Sequence, residues 1–106
     1  MAWTVELTAR VLRELDRLYL HVNATESAGA ARWFAGLEDT IGLLASSPRM
    51  GKPTREDPAV REIIYGNKPH FYRVLYELND ESEHVYVLTI RHGRQLPPNP
   101  GGEAGA

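Results

Sequence analysis

The sequence predicts one α+β domain with the element order β-α-α-β-β-β, in which a two-helix hairpin packs on a small, mostly antiparallel four-stranded sheet. Three observations predict this class. A short alternating segment comes first, two long segments with apolar residues at helical spacing follow, and three alternating segments fill the second half. We expect the domain to span residues 1–95 and residues 96–106, rich in proline and glycine, to form a flexible tail.

The first strand is predicted at residues 3–7, where apolar and polar residues alternate. Thr8 suits the N-cap of the following helix, because its hydroxyl can accept a hydrogen bond from an otherwise unpaired backbone amide. The charged residues of this helix point outward, among them Arg10 and Glu14, which lie one turn apart and can pair. The predicted buried stripe consists of Val11, Leu12, Leu15, Leu18, Tyr19 and Val22.

A break at residues 23–25 precedes a second helix, predicted from about Glu26. This helix ends before Pro48, because proline disfavours helical geometry in the preceding residue. Its stripe contains Trp33 and Phe34, which we interpret mainly as packing between the helices and the sheet and, alternatively, as part of a docking surface. The whole stripe is Ala30, Trp33, Phe34, Leu37, Ile41 and Leu44.

Residues 49–58 are rich in proline, glycine and charge, which predicts a loop crossing from the helices to the sheet. A strand follows at residues 60–66, and the turn 66–69 leads into an antiparallel hairpin. The hairpin pairs a strand at residues 70–78 with the closing segment 84–94 across a polar loop.

The register of this hairpin is predicted by placing Leu78 opposite His84. Because side chains alternate between the faces of a sheet, this choice also places Arg73 near Arg91 on a half-exposed face, and a slip of one residue would reverse the assignments. The predicted core face consists of Tyr72, Val74, Tyr76, Leu78, Tyr86, Leu88 and Ile90.

The composition and net charge of the chain exclude several classes of function. The 106 residues carry a formal charge of −2, with a pI near 6.1, which argues against a protein whose main task is to coat nucleic acid. The absence of cysteine excludes disulfides and thiolate chemistry. We expect a cytoplasmic protein without membrane contact, because no apolar segment is long enough to span a bilayer and no signal sequence is visible.

The last predicted strand ends in Arg91, His92, Gly93 and Arg94, a cluster of basic and titratable side chains around a glycine. A core strand that delivers such a cluster to its end predicts a functional surface. The assumed register puts His70 opposite His92, but an acidic third ligand is lacking nearby. We therefore expect neither a metal nor a cofactor.

Four phrases, in this order and spacing, resemble the RelE/ParE superfamily of type II toxin-antitoxin toxins, also called plasmid stabilisation proteins. The resemblance covers about residues 3–95. The phrases are Leu-Leu-Ala-Ser-Ser-Pro-Arg-Met-Gly at 43–51, Arg61, Tyr-Arg-Val-Leu-Tyr at 72–76 and Ile-Arg-His-Gly-Arg at 90–94.

The closing His-Gly-Arg phrase is nearer the ParE branch, whose studied members inhibit DNA gyrase. This resemblance implies a non-enzymatic toxin that a cognate antitoxin neutralises, with gyrase as the expected target and operator DNA contacted only through the antitoxin. The antitoxin would dock on the toxin by a segment that folds on binding. The residues predicted to bind target or antitoxin are Arg61, Phe71, Arg73, Arg91, His92 and Arg94.

The RelE branch supplies an alternative, an enzyme that cleaves messenger RNA on the ribosome. Arg73 and Arg94 would then clamp the phosphate and His92 would transfer protons. The chain departs from that branch because residues 63–65 carry no lysine pair, no tyrosine follows Arg94 and the net charge is negative. A purely structural role, in which Arg73 pairs with Glu62 or Glu77, is preferred over catalysis. A third possibility is a toxin homologue that has lost its target activity and only binds antitoxin.

Overall fold

A computed structural model describes residues 2–67 and 70–93. One mixed sheet runs in the order β1-β5-β4-β3-β2, with β1 parallel to β5 and the other pairs antiparallel. The predicted α+β class is confirmed. The elements are β1 (Thr4–Leu7), α1 (Ala9–His21), α2 (Ala28–Gly42), a 3₁₀ turn (Leu43–Ala45), β2 (Lys52–Pro53), β3 (Val60–Asn67), β4 (His70–Asn79) and β5 (His84–His92).

The sheet has five strands rather than the predicted four. The additional strand, β2, lies inside the predicted loop 49–58, where Lys52 and Pro53 pair with Glu62 and Arg61 of β3. Proline fits this position because an edge strand leaves one side of its backbone without a partner strand. The predicted tail 96–106 lies outside the described residues.

Both helices begin at hydroxyl caps. The Thr8 hydroxyl accepts a hydrogen bond from the Val11 amide at 3.2 Å, as predicted, and the Ser27 hydroxyl accepts one from the Ala30 amide at 3.1 Å. The break between the helices is also where the sequence predicts it, because Asn23 adopts a left-handed conformation with φ of 65° just after α1. No helix in the described part of the chain is long and apolar enough to cross a membrane.

The core lies between the helices and one face of the sheet. Most of the predicted helical stripes are buried, whereas Leu12 is 52% exposed and Tyr19 is 36% exposed. The Tyr19 ring nevertheless contacts the Phe34 ring edge-on at 5.1 Å and so links the two helices. The buried cluster consists of Val11, Leu15, Leu18, Phe34, Leu37, Ile41, Leu44, Val74, Tyr76, Val85, Val87 and Ile90.

The predicted hairpin register is wrong. The strand β4 extends to Asn79, which pairs with His84, whereas the prediction placed Leu78 there. The Asn79 side chain accepts a hydrogen bond from the Ser82 amide at 3.0 Å, which stabilises a shorter connection than the predicted one. The register is therefore shifted by one residue, and Val87, rather than Tyr86, faces Tyr76 in the core.

A second shift occurs at a β-bulge between Leu75 and Tyr76. Because one extra residue reverses the alternation of side chains, Ile90 and His92 follow Val85 and Val87 on the core face. Leu88 lies at this change of register and is only half buried. The bulge thus determines that His92, rather than Arg91, shares a face with Tyr72.

The fully buried Tyr76 fixes the turn that connects the helices to the sheet. Its hydroxyl donates a hydrogen bond to the Pro48 carbonyl and accepts one from the Gly51 amide, both at 2.9 Å. The Arg61 guanidinium donates to the Gly51 carbonyl at 2.7 Å. A Cβ at Gly51 would lie 2.6 Å from the Glu62 carbonyl oxygen, so the close approach of this turn to β3 requires glycine.

Removal of this hydroxyl tests its structural role. We expect Tyr76→Phe to lower the free energy of unfolding by about 1–3 kcal/mol, because the buried Gly51 amide loses its partner. Urea denaturation measures the difference. Tyr86→Phe is the matched control: this half-buried residue, whose ring stacks on His84, has no hydroxyl hydrogen bond within residues 2–67 and 70–93. We expect it to change stability by less than about 0.5 kcal/mol, and equal losses in both variants would contradict the assignment.

Candidate functional site

Two adjoining cavities lie where β4 begins and β5 ends, beside the last turns of α1. The larger measures about 520 Å³ and the smaller about 310 Å³, and both are lined by His21 and Tyr72. We call them together the hairpin-end groove. The larger cavity is lined by Glu14, Arg17, Leu18, His21, Tyr72, Ile90, Arg91 and His92, and the smaller by His21, Val22, Ala30, Trp33, His70 and Tyr72.

The side of this groove next to α1 is built by polar contacts to the edge of β5. The partner strand β1 ends at Leu7, which pairs with Val87, so beyond that point the edge of β5 that faces away from β4 has no neighbouring strand in the described part of the chain. The Thr8 amide donates to the Val87 carbonyl at 3.3 Å, and the Glu14 carboxylate accepts hydrogen bonds from the Thr89 hydroxyl and the Ile90 amide at 2.9 Å each. Side-chain and cap groups thereby replace a missing strand.

These contacts correct the outward orientation predicted for Glu14. The Arg10–Glu14 pair predicted one turn apart does form, at 3.4 Å, but the carboxylate also reaches the sheet and its side chain is only 19% exposed. A carboxylate that receives donors from two elements fixes the angle at which α1 crosses β5.

A row of rings forms the other side of the groove. Trp33 contacts Tyr65 and Tyr72 edge-on, at centroid distances of 5.2 and 5.6 Å, and Tyr72 contacts His92 at 5.3 Å. The Tyr65 hydroxyl donates to the Trp33 carbonyl at 2.7 Å. Trp33 therefore contributes both to the core and to a cavity wall. Burial raises the pKa of the Tyr72 hydroxyl further above its ordinary value.

Of the six residues predicted for binding, Arg91 and His92 line the larger cavity. Phe71 lies next to them: its carbonyl accepts a hydrogen bond from the Gly93 amide at 2.7 Å, and a side chain at position 93 would overlap its ring. Any larger residue at position 93 would therefore force the half-buried Phe71 ring to move. The sixth predicted residue in order, Arg94, lies outside the described residues.

Arg73 lies apart from this groove. Its Nε donates to the Glu62 carboxylate at 2.6 Å, Glu56 approaches at 3.7 Å, and the side chain is only 12% exposed. Arg73 is directly opposite Arg91 in the sheet, whereas Tyr72 and His92 point to the other face. The preferred structural role for Arg73, pairing with Glu62, is the one observed.

The Arg61 side chain is also hydrogen-bonded within the fold. Its guanidinium donates to the Gly51 carbonyl and, at 3.4 Å, to the Arg49 carbonyl. It lies opposite Tyr76, four residues along β3 from the level of Tyr72, or roughly 13 Å. Arg61 is thus part of the turn described above and not of the hairpin-end groove.

The predicted opposition of His70 and His92 is wrong, since Tyr72 pairs with His92 and His70 with Asn67. Both histidines do face the groove, His70 in the smaller cavity and His92 in the larger. Across residues 2–67 and 70–93, no group of three His, Cys, Asp or Glu side chains is arranged to hold a metal ion.

Sequence reasoning missed the contribution of α1 to this site. Glu14, Arg17 and His21 follow one another at intervals of three and four residues, which places them on one face of the helix. This spacing was the available signal. The pattern predicts an outward, solvated position for Glu14 and Arg17, because the sequence does not show that the sheet neighbour of β5 ends before α1 crosses it.

Comparisons with known proteins give the same fold. The Pseudomonas aeruginosa chromosomal ParDE toxin-antitoxin system aligns with a TM-score of 0.68 at 16% identity, over 86% of this chain and 96% of that one. The Mycobacterium tuberculosis toxin-antitoxin complex RelBE2 aligns with a TM-score of 0.58 at 28% identity, over 87% and 99%. The architecture is therefore that of the RelE and ParE toxins.

The sequence comparisons identify the family within this group of toxin folds. The Sinorhizobium fredii protein "Putative toxin Y4kP" is 30% identical over 94 residues, which cover 89% of this chain and 92% of that protein. Residues 5–97 match the family described as the ParE toxin of the type II toxin-antitoxin system, parDE. The chain belongs to this ParE toxin family and is a type II toxin.

The role of Glu14 at the sheet edge can be tested directly. We expect Glu14→Ala to lower the free energy of unfolding by about 1.5–3 kcal/mol and to accelerate amide exchange at Ile90, which loses a charged acceptor. Asp16→Ala, at an exposed position on the same helix, should change stability by less than about 0.5 kcal/mol. Unchanged protection of the Ile90 amide in Glu14→Ala would contradict the proposed contact.

Proposed function

We propose that this protein is held inactive by a cognate antitoxin and, when free, binds and inhibits DNA gyrase. Membership of the ParE toxin family supports the proposal. The structural observation that supports it best is the end of β5, where Arg91 and His92 border an open groove instead of a closed core. Arginine and aromatic side chains in such grooves commonly supply much of the energy of protein interfaces.

The position of Arg73 favours binding over RNA cleavage. Cleavage through the 2′-hydroxyl needs proton-transfer groups and phosphate-stabilising cations that converge on one phosphate. Of the residues considered for that reaction, His92 faces the helices and Arg73 points to the opposite face, where Glu62 and Glu56 neutralise it. A phosphate would have to displace two carboxylates to reach this guanidinium.

An antitoxin partner is supported by the relatives. The Mycobacterium tuberculosis neighbour is itself a toxin-antitoxin complex, and the Pseudomonas aeruginosa neighbour belongs to a ParDE system. We propose the same kind of partnership for this chain, with contact to operator DNA made only by the antitoxin.

The alternative, a ribosome-dependent mRNA endonuclease, retains one specific observation in its favour. Tyr72 and His92 lie with ring centroids 5.3 Å apart beside Arg91, so one cavity does combine a titratable group with a cation. Cuts at defined codon positions when the purified protein meets translating ribosomes would establish this activity. Protein that is harmless on expression and inert in both assays would be a homologue that only binds antitoxin.

The direct test is DNA supercoiling by purified gyrase with increasing amounts of the toxin. We expect inhibition that added antitoxin reverses. In growing bacteria, pulse labelling within minutes of induction should show arrest of DNA synthesis before arrest of protein synthesis. Full supercoiling at excess toxin would contradict the proposal, and earlier arrest of protein synthesis would favour the endonuclease.

The sequence predicts that Arg94 contributes to gyrase inhibition. Because we expect it at an exposed strand end, Arg94→Ala should weaken gyrase inhibition by about tenfold or more while changing stability by less than about 0.5 kcal/mol. Supercoiling titrations and urea denaturation measure the two effects. Arg32→Ala, at an exposed position on α2, is the control and should leave both unchanged. Loss of stability in Arg94→Ala would assign this residue to the fold instead.

A further inference from the structure

The arginines of the described chain differ in whether a carboxylate of the same chain pairs with them. Glu14, Asp80 and Glu62 pair with Arg10, Arg49 and Arg73, respectively. By contrast, within residues 2–67 and 70–93 neither Arg17 nor His21 forms a hydrogen bond or an ion pair through its side chain. Both are exposed, and both line the hairpin-end groove.

The lining of the groove changes from polar to aromatic along its length. At the larger cavity, the Arg17 guanidinium and the His21 imidazole of α1 form an exposed polar side, in which Arg17 carries the positive charge. At the smaller cavity, Trp33 of α2 and Tyr72 of β4 form an aromatic side. Since His21 and Tyr72 line both cavities, an extended ligand that follows the groove meets a cation at one end and apolar rings at the other.

We propose that the hairpin-end groove binds an extended acidic segment of the antitoxin. A carboxylate of that segment pairs with Arg17 and His21, and a large apolar side chain a few residues away packs on Trp33 and Tyr72. This inference rests on the proposed function and adds to it the surface and the chemistry of the bound segment. Charge complementarity selects an acidic partner, because the groove offers a cation whose charge no other described side chain uses.

A nucleic acid fits the same groove less well. Backbone binding draws on several cations that neutralise successive phosphates. Here the Glu14 carboxylate lies in the same cavity as Arg17, and the chain as a whole carries a formal charge of −2. One carboxylate flanked by apolar residues matches the groove better than a run of phosphates.

The experiment measures binding of the module's antitoxin, used intact and as short overlapping peptides. Trp3→Phe leaves Trp33 as the single tryptophan, so its fluorescence reports occupancy of the smaller cavity. We expect one acidic peptide to change this fluorescence and to compete with the intact antitoxin. Arg17→Glu in the same background should weaken binding of that peptide about tenfold or more.

A matched control comes from the same helix. Arg13→Glu introduces the same charge change one turn earlier, at an exposed position that lines neither cavity, and should weaken binding less than about twofold. In the converse exchange, a peptide with its acidic residue replaced by lysine should bind Arg17→Glu better than the native protein.

Each other outcome overturns the inference. If intact antitoxin binds but Arg17→Glu and Arg13→Glu weaken it equally, the antitoxin docks elsewhere and the proposed function stands alone. If antitoxin does not bind at all, the proposed function fails together with the inference. If a single-stranded oligonucleotide displaces the peptide and quenches Trp33 at comparable concentration, the groove is a nucleic-acid site.

Discussion

The arrangement of this molecule depends on one buried hydroxyl. Tyr76 lies in the central strand of the sheet, with no exposed surface, and its hydroxyl holds both the carbonyl of Pro48 and the amide of Gly51. These two bonds attach the end of the helical layer to the middle of the sheet, and Arg61 closes the same turn from β3. A buried hydroxyl and a buried amide are costly without hydrogen-bond partners, so these bonds hold the turn in place against the sheet. The chain then leaves the turn as β2, which pairs with β3.

The second constraint is the bulge beside Tyr76. Side chains alternate along a strand, so an extra residue on one side of a pair exchanges the two faces beyond it. Before the bulge Val85 and Val87 fill the core; after it Ile90 does so, and His92 follows on the same face and lines the larger cavity. The extra residue is Leu88 of β5, because Leu75 pairs with Thr89 and Tyr76 with Val87. The closing phrase of β5 is therefore oriented by an irregularity a few residues earlier in the same strand, and His92 meets Tyr72 at the groove as a consequence.

Local patterns predicted the two helices, the Thr8 cap and the chain order of the main strands, because periodicity and capping depend on neighbouring residues. They did not predict the Ser27 cap of α2. They did not predict β2, which is only two residues long and pairs through tertiary contacts. The register failed for a similar reason, since Asn79 shortens the connection and the bulge has no clear signature in the sequence. The sequence predicts a functional surface at the end of β5, where Arg91 and His92 line the larger cavity, but it does not indicate that Glu14, Arg17 and His21 line the same cavity. Whether such residues face solvent or a cavity depends on where a neighbouring strand ends.

The two faces of the sheet carry differently paired cationic side chains. This difference says more about function than the fold does, because one fold can serve many functions. On the open face, Arg73 is enclosed by Glu62 and Glu56, so its charge is already neutralised and only a ligand able to displace two carboxylates can use it. On the helix side, Arg17 and His21 face a groove whose rings already pack against one another. A ligand that binds Arg17 would break no ion pair within residues 2–67 and 70–93, whereas a catalytic use of Arg73 on the open face would first have to break its ion pair with Glu62. Within the described residues, the distribution of charge therefore favours the binding role that we propose for the hairpin-end groove over a catalytic role for Arg73 on the open face.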